Sequence, residues 1–281
     1  MKSNKVVEKI SDCIFDLLNP VSRFEDKLRE ADWYPRKSVT SWKKQLSFRS
    51  RTTNKILEQI KIFTAPEIQD LIKMTVSDRP EIFAYEHCFI MRLGEPGKSG
   101  ELIMYHFRRA SNTITKFENF WEIPNFPSES RIVFVDDIIG SGNQSMEFVD
   151  HLKNRVSGFF NSSHQPYLFT ICGTPTGIAN VTEQTGFGVV CAVTLDDSRF
   201  NFYHESNAIF SSEEKEQMRQ LNTRLGEHAF FAQGLLVAFY FTTPDNTMRF
   251  IWDDKRQYDD EHGKRRSWVA LLPKNIEASA K

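Results

Sequence analysis

The chain has 281 residues, a formal net charge of −1, 40% hydrophobic and 26% charged residues. These values are ordinary for a globular protein with a sizeable core, and the near-neutral balance excludes the global basic field of a non-specific nucleic-acid binder. Cys13, Cys88, Cys172 and Cys191 lack metal-type spacing and read as buried free thiols; with no long apolar segment and no signal peptide, a reducing cytoplasm and no membrane are expected.

The first 80 residues read as a helical extension. Val6, Ile10, Ile14 and Leu17 fall on one face at helical spacing within a charged, amphipathic start, and Pro20 ends that element. Further helical stretches are expected from about Ser22, over Ser38–Leu46, over Thr53–Phe63, and over Ala65–Val76 with Pro66 near its start; Ser77–Pro80 breaks the pattern. Basic residues Lys37, Lys43, Lys44, Arg49 and Arg51 interleave with Trp42 and Phe48, which reads as a solvated helix face before it reads as a nucleic-acid contact.

From Tyr85 the period changes. Cys88–Leu93 reads as a strand, Gly94–Gly100 as a loop, and Glu101–Arg109 as the helix after it. Asn112–Ser130 is irregular and aromatic-rich. Ile132–Val135 is an apolar strand, followed by Asp136, Asp137, a small-residue loop and a helix over Met146–Lys153. Tyr167–Cys172 and Gly188–Leu195 read as further strands flanking a helix at Thr176–Thr185. This alternation implies an α/β fold with a doubly wound parallel sheet, over residues 81–281. A helix over Ser212–Arg224, with serine at its cap and Glu213 and Glu214 in its first turn, a strand over Leu235–Thr242, the turn Thr243–Thr247 and the apolar end Trp268–Leu272 follow. One compact unit with a helical extension is expected.

The block Ile132–Ser145 carries the chemistry. A buried parallel strand delivers two carboxylates to its carboxyl end, where ligands of open α/β sheets sit, and the glycines beyond them open a helix whose amides and dipole favour an anion. Carboxylates there can hold sugar hydroxyls or a hydrated Mg²⁺, so the block reads as a site for a phosphorylated sugar. Gly97, Lys98, Ser99 and Gly100 form a second anion loop by the same reasoning. The end of this loop also matches a Walker A motif, which leaves a P-loop NTPase as an alternative; against it, Arg92 stands where that motif requires glycine. Arg108, Arg109, Asp196, Asp197 and Arg199 are secondary candidates.

These residues resemble the signature of type I phosphoribosyltransferases: four apolar residues, two acids and a T-x-G-T loop. The resemblance implies a five-stranded Rossmann-like parallel sheet, phosphoribosyl pyrophosphate (PRPP) as co-substrate, and Mg²⁺ held by Asp136 and Asp137 directly or through water. It makes these two acids the catalytic pair on the ribose hydroxyls, with Gly140, Ser141, Gly142, Asn143, Gln144 and Ser145 around the 5′-phosphate and Gly97–Gly100 on the pyrophosphate. Both signature threonines are replaced, by Gly140 and Asn143. The Gly97–Gly100 loop, the Asp136-Asp137 block, Thr243-Pro244-Asp245-Asn246-Thr247 with Trp252, and Trp268 with Pro273 occur together, which is similar to the phosphoribosyltransferase-like family of bacterial conflict systems. That likeness implies a C-terminal hood, a nucleotide-type acceptor, and a place as effector in an anti-phage, retron-type assembly with a reverse transcriptase, its RNA/DNA product and a DNA-binding accessory protein. The alternative it leaves is a catalytically inactive subunit that senses a phosphoribosyl ligand.

Overall fold

The structure, a computed structural model, describes residues 20–35, 37–46, 50–94, 97–111, 116–156, 163–226, 234–254, 257–259 and 263–274, excepting the side chains of Phe120 and Trp121. The expected amphipathic start, Cys13, Phe48, Arg49, and Glu95 and Pro96 of the first loop lie outside these residues. In chain order the elements are α1 (Pro20–Glu30), α2 (Val39–Lys43), α3 (Ser50–Gln59), β1 (Lys61–Phe63), α4 (Ala65–Asp78), α5 (Pro80–Phe83), β2 (Cys88–Arg92), α6 (Ser99–Ala110), a 3-10 turn (Phe120–Asn125), β3 (Arg131–Ile139), α7 (Asn143–Arg155), β4 (Gln165–Gly173), α8 (Pro175–Thr185), β5 (Gly188–Thr194), α9 (Asp197–Phe200), α10 (Ser212–Arg224), β6 (Val237–Phe239), α11 (Arg249–Trp252), β7 (Gln257–Asp259) and β8 (Arg265–Ser267).

Contacts divide the chain into two units, residues 65–196 and residues 1–64 with 197–281. The division falls at Thr64 and not near residue 80, because α4 packs on α6 and on strands β4 and β5 through Ile68 and Ile72, both fully buried.

Residues 65–196 form the α/β unit. Strands β2, β3, β4 and β5 lie side by side in that order, all parallel, with Ile90 opposite Val133, Val135 opposite Phe169, and Thr170 opposite Cys191. A fifth position borders β2: Phe117 bridges Ile90 in parallel, Ile90 N donating to Lys116 O at 2.9 Å and Glu118 N to Ile90 O at 3.1 Å. The chain thus steps outward from β2 through α6 to the edge, then returns past β2 to β3 and continues across the sheet. The reversal between β2 and β3 is a topological switch point, where the carboxyl ends of neighbouring strands leave a crevice. Helices cover both faces. Phe107 of α6 and Phe83 of α5 pack edge-on against Phe169, with ring centroids at 4.7 and 6.4 Å; on the other face Val149 and Leu152 of α7 and Val181 of α8 join Ile132, Phe134 and Leu168. The sheet is doubly wound and parallel, as the alternation of strands and helices requires.

β3 is longer than its apolar run. Pairing of Asp136 with Thr170, Ile138 with Cys172 and Ile139 with Gly173 carries the strand through both acids, which therefore sit inside its last turn of pleat and not beyond it. Likewise α7 starts at Asn143, so Asn143, Gln144 and Ser145 are its first turn.

The other unit brings together segments from before and after residues 65–196. β1 pairs in parallel with β6, Lys61 opposite Val237 and Phe63 opposite Phe239, so the helix expected over Thr53–Phe63 stops at Gln59 and gives way to a short strand. Trp42 of α2 stacks on Phe250 of α11 at 6.0 Å, and Trp268 Nε1 donates to Phe250 O at 2.9 Å. Gln45 clasps Val269 through both of its backbone groups, at 3.0 and 3.2 Å. Thr243 and Thr247, both buried, clamp the turn between them: Thr243 Oγ1 donates to Leu272 O at 2.9 Å and Thr247 Oγ1 to Val237 O at 2.5 Å. Among the described residues no helix is long and apolar enough to cross a membrane.

Candidate functional site

The crevice at the switch point is walled by the two loops that follow β2 and β3. β3 ends in a carboxylate pair because the pleat continues through it. Asp136 and Asp137 are 3% and 6% exposed. Three donors hold Asp136: its Oδ1 accepts from Ser99 Oγ at 2.8 Å and from Asp137 N at 3.0 Å, and its Oδ2 accepts from Gln144 Nε2 at 3.2 Å. Ser99 is the first residue of α6 and Gln144 belongs to the first turn of α7, so one carboxylate ties the two helix starts together. Asp137 Oδ1 accepts from Ile138 N at 3.0 Å. Burial, and then the adjacent Asp137 carboxylate, push Asp136 well above the usual carboxylate range, against the Ser99 hydrogen bond; burial also raises Asp137, against hydrogen bonds from Asp136, Ser99 and the backbone. Neither acid is ion-paired among the described residues.

The loop after β3 is turned amide-outward. Gly142 has φ +90° and caps α7; a Cβ there would lie 2.9 Å from Val181 Cγ2 and 3.1 Å from Gly177 O, so glycine is required for the backbone angle and for the approach of α8. The carbonyls of the loop point at α8: Thr174 Oγ1 donates to Gly140 O at 2.6 Å and Asn180 Nδ2 to Ser141 O at 3.1 Å. Among the described residues no protein group accepts from the amides of Gly140, Ser141 or Gly142; the nearest local contact is Asn143 N to Ser141 Oγ at 3.4 Å. Ser145 is buried, whereas Asn143 and Gln144 are exposed. Thr174, Gly177 and Asn180 are not among the residues that the sequence singles out for the site, although the last two fall in the helix it predicts over Thr176–Thr185. The signal present was Thr174-Pro175 at a helix start with a glycine three residues after the threonine, and it carries no hint of the loop 34 residues earlier.

The loop after β2 differs. Gly97 has φ +80°, and its amide donates to Glu101 Oε2 at 2.8 Å. Lys98 is exposed and caps α6 without a side-chain bond. Gly100 is buried, and a Cβ there would stand 2.8 Å from the carbonyl oxygens of both Leu93 and Val135, which lets the helix start close against the sheet. The structure thus brings Ser99 to the acid pair and turns Gly100 toward the strands. Arg108 lies over the Phe117 ring at 4.8 Å, and Arg109 Nη1 donates to Tyr105 OH at 2.7 Å. Asp197 and Arg199 belong to the other unit. Cys88 and Cys172 are buried free thiols; burial pushes Cys88 up to about 12, and Cys172 is raised as well.

In comparisons with known proteins, the PRTase-CE family model matches residues 39–274. No curated protein matches. Among solved structures, a hypoxanthine-guanine-xanthine phosphoribosyltransferase is similar at 12% identity and TM-score 0.33, over 50% of this chain and 85% of that one. Orotate phosphoribosyltransferase from Aeropyrum pernix is similar at 14% identity and TM-score 0.31, over 45% and 68%, and Leishmania donovani UMP synthase at 15% and 0.34, over 56% and 33%.

Proposed function

The chain belongs to the PRTase-CE family, and from that premise we propose that it binds PRPP with Mg²⁺ between β2 and β3 and transfers or cleaves a glycosidic bond of a nucleotide-type acceptor. The observation that carries this reading is the set of outward amides at Gly140, Ser141 and Gly142 beside two buried carboxylates. Amides at a helix start suit a terminal phosphate. Asp136 and Asp137 fit Mg²⁺, which uses one or two carboxylates and completes its shell from substrate phosphates and water; among the described residues no group of three or more His, Cys, Asp or Glu forms a fuller cage. Bound there, the ion would neutralise phosphate charge.

In the proposed reaction the bond from ribose C1 to the pyrophosphate oxygen breaks as a bond to a nitrogen or oxygen of the acceptor forms; pyrophosphate leaves with the electron pair, and the proton shed by the acceptor passes to it or to water. The ribose ring gains positive charge on the way, as in glycoside hydrolysis. Asp137, on the less encumbered side of the pair, holds the ring hydroxyls, and both carboxylates favour that charge. In the cell the reading is an effector of a cytoplasmic anti-phage, retron-type assembly that includes a reverse transcriptase, its RNA/DNA product and a DNA-binding accessory protein; its support is the joint occurrence of the sequence blocks named above.

A second reading, ligand sensing without turnover, is favoured by the Glu101 carboxylate seated on the Gly97 amide, which takes a donor from the loop expected to hold pyrophosphate. Incubation with PRPP, Mg²⁺ and a nucleotide pool separates them. Release of pyrophosphate that Asp137→Asn abolishes is the expected result; a rise in melting temperature without release supports the sensor; neither binding nor release overturns both.

A further inference from the structure

We propose that α8 sets the anion-binding form of the loop after β3, with Thr174 and Asn180 as positioning residues. This rests on the reading that the loop takes a terminal phosphate. The argument comes from the peptide plane. In a trans peptide the C=O of one residue and the N–H of the next point in opposite directions, and no cis peptide is present among the described residues. Thr174 holds Gly140 O at 2.6 Å, so the N–H of Ser141, in the same plane, is aimed away from α8. Asn180 holds Ser141 O at 3.1 Å, so the N–H of Gly142 is aimed away in turn. Two successive donors are thereby fixed from behind, and two carbonyl dipoles that would repel a phosphate are removed from its side.

The support is itself held. Thr174 Oγ1 accepts from Gly177 N at 3.0 Å while donating to Gly140 O, so its hydroxyl proton has one direction. Thr174 is 3% exposed. Gly177 admits the close approach, because a Cβ there would overlap the carbonyl of Gly140. Hydroxyl donors are absent at Gly140 and Asn143, and the pre-aimed backbone amides remain as donors with no ordering cost at the moment of binding.

The test uses ribose 5-phosphate as probe, titrated calorimetrically into the full chain, with the amide resonances of Ser141 and Gly142 followed by NMR. Thr174→Val keeps the shape and loses the hydroxyl; Thr174→Ser restores it. Thr174→Val is expected to weaken binding on the order of tenfold and to move both amide resonances before any ligand is added, and Thr174→Ser to recover both. Asn180→Ala is expected to weaken binding similarly and to move the Gly142 resonance most. Where Thr174→Val does not fold, the half-buried Asn180 decides. A wild-type protein that binds the probe while Thr174→Val or, failing that, Asn180→Ala binds within twofold of it overturns the positioning role and leaves the phosphate reading intact. A wild-type protein that binds neither ribose 5-phosphate nor PRPP overturns the phosphate reading and this inference with it.

Discussion

Two adjacent buried carboxylates repel each other and lose hydration when both are charged, and nothing around Asp136 supplies a compensating cation: its partners are the neutral Ser99 and Gln144 and a backbone amide. Its raised proton affinity means that the folded chain binds a proton more tightly than the unfolded one, so the pair's contribution to stability falls as pH rises above the ordinary carboxylate range. With the Gln144 amide able to turn over and accept from the new NH2, Asp136→Asn keeps volume and the acceptor toward Ser99 and the Asp137 amide while removing charge. It is expected to raise the melting temperature at pH 8 by a few degrees, about 2–4 °C per kcal/mol gained, with the gain shrinking toward pH 4, and to abolish PRPP binding; a melting temperature below that of the parent at pH 8 contradicts the assignment. Gly142 makes a second case. A side chain there meets Val181 on α8 at 2.9 Å and must adopt φ +90°, so the obstruction lies behind the loop and not in the space of the phosphate. Gly142→Ala is accordingly expected to cost about 1–3 kcal/mol, seen as a lower melting temperature together with weaker PRPP binding. The need for glycine was legible in the sequence; its direction was not, because it depends on where α8 packs.

At the scale of elements, Glu214 joins α10 to α3. It completes a capping box with Ser211, and Lys55 Nζ lies 2.9 Å from its Oε2, the two side chains being 21% and 14% exposed. Burial pushes Glu214 up, but hydrogen bonds from Lys55, the Ser211 amide and Thr52 outweigh it and leave its proton affinity below normal. A carboxyl so depressed contributes stability that is present above the unfolded value, near 4.5, and is lost as pH falls through the lower folded value. Glu214→Ala is expected to cost about 2–3 kcal/mol at pH 7 and much less near pH 3; chemical denaturation at both values checks this, and an equal loss at both rejects it. The serine cap of α10 and its acidic first turn were readable because capping is local in sequence. So were β2 to β5, whose sheet residues run apolar on both faces. β1 escaped because Ile62 and Phe63 continue the apolar spacing of α3, and only pairing with β6, 176 positions later, makes Lys61–Phe63 a strand. The edge at Phe117 escaped because one bridge leaves no period to read. The acid pair was placed past the strand end for a related reason: polar side chains stop an apolar run, while the ladder to Thr170 and Cys172 does not stop.

Across the whole molecule, the blocks that carry the family likeness divide by role. Asp136, Asp137 and the Gly140–Gly142 loop wall the crevice of one unit, whereas Thr243, Thr247 and Trp268 are buried in the other as clamps and core. Resemblance along a chain therefore marks packing as well as chemistry, and only the structure tells them apart. Charge divides too. Residues 65–196 carry 10 Lys and Arg against 16 Asp and Glu, a net of −6, so the remainder is +5 against the chain's −1. The unit proposed to bind a polyanion is itself acidic, so its own net charge does not draw the ligand in. Its grip has to come from local amides and from Mg²⁺ on the ligand's phosphates, interactions at contact distance that salt screens little. PRPP affinity is thus expected to change less than about threefold between 50 and 200 mM NaCl at fixed free Mg²⁺, well short of the loss that a cluster of exposed phosphate-binding cations shows over that range, and to fall by more than about tenfold when the metal is chelated. Calorimetric titration across both series distinguishes the cases: a steep salt slope with no metal dependence would place the binding energy in exposed lysines and arginines, Lys98 first among them, and not in the loop after β3.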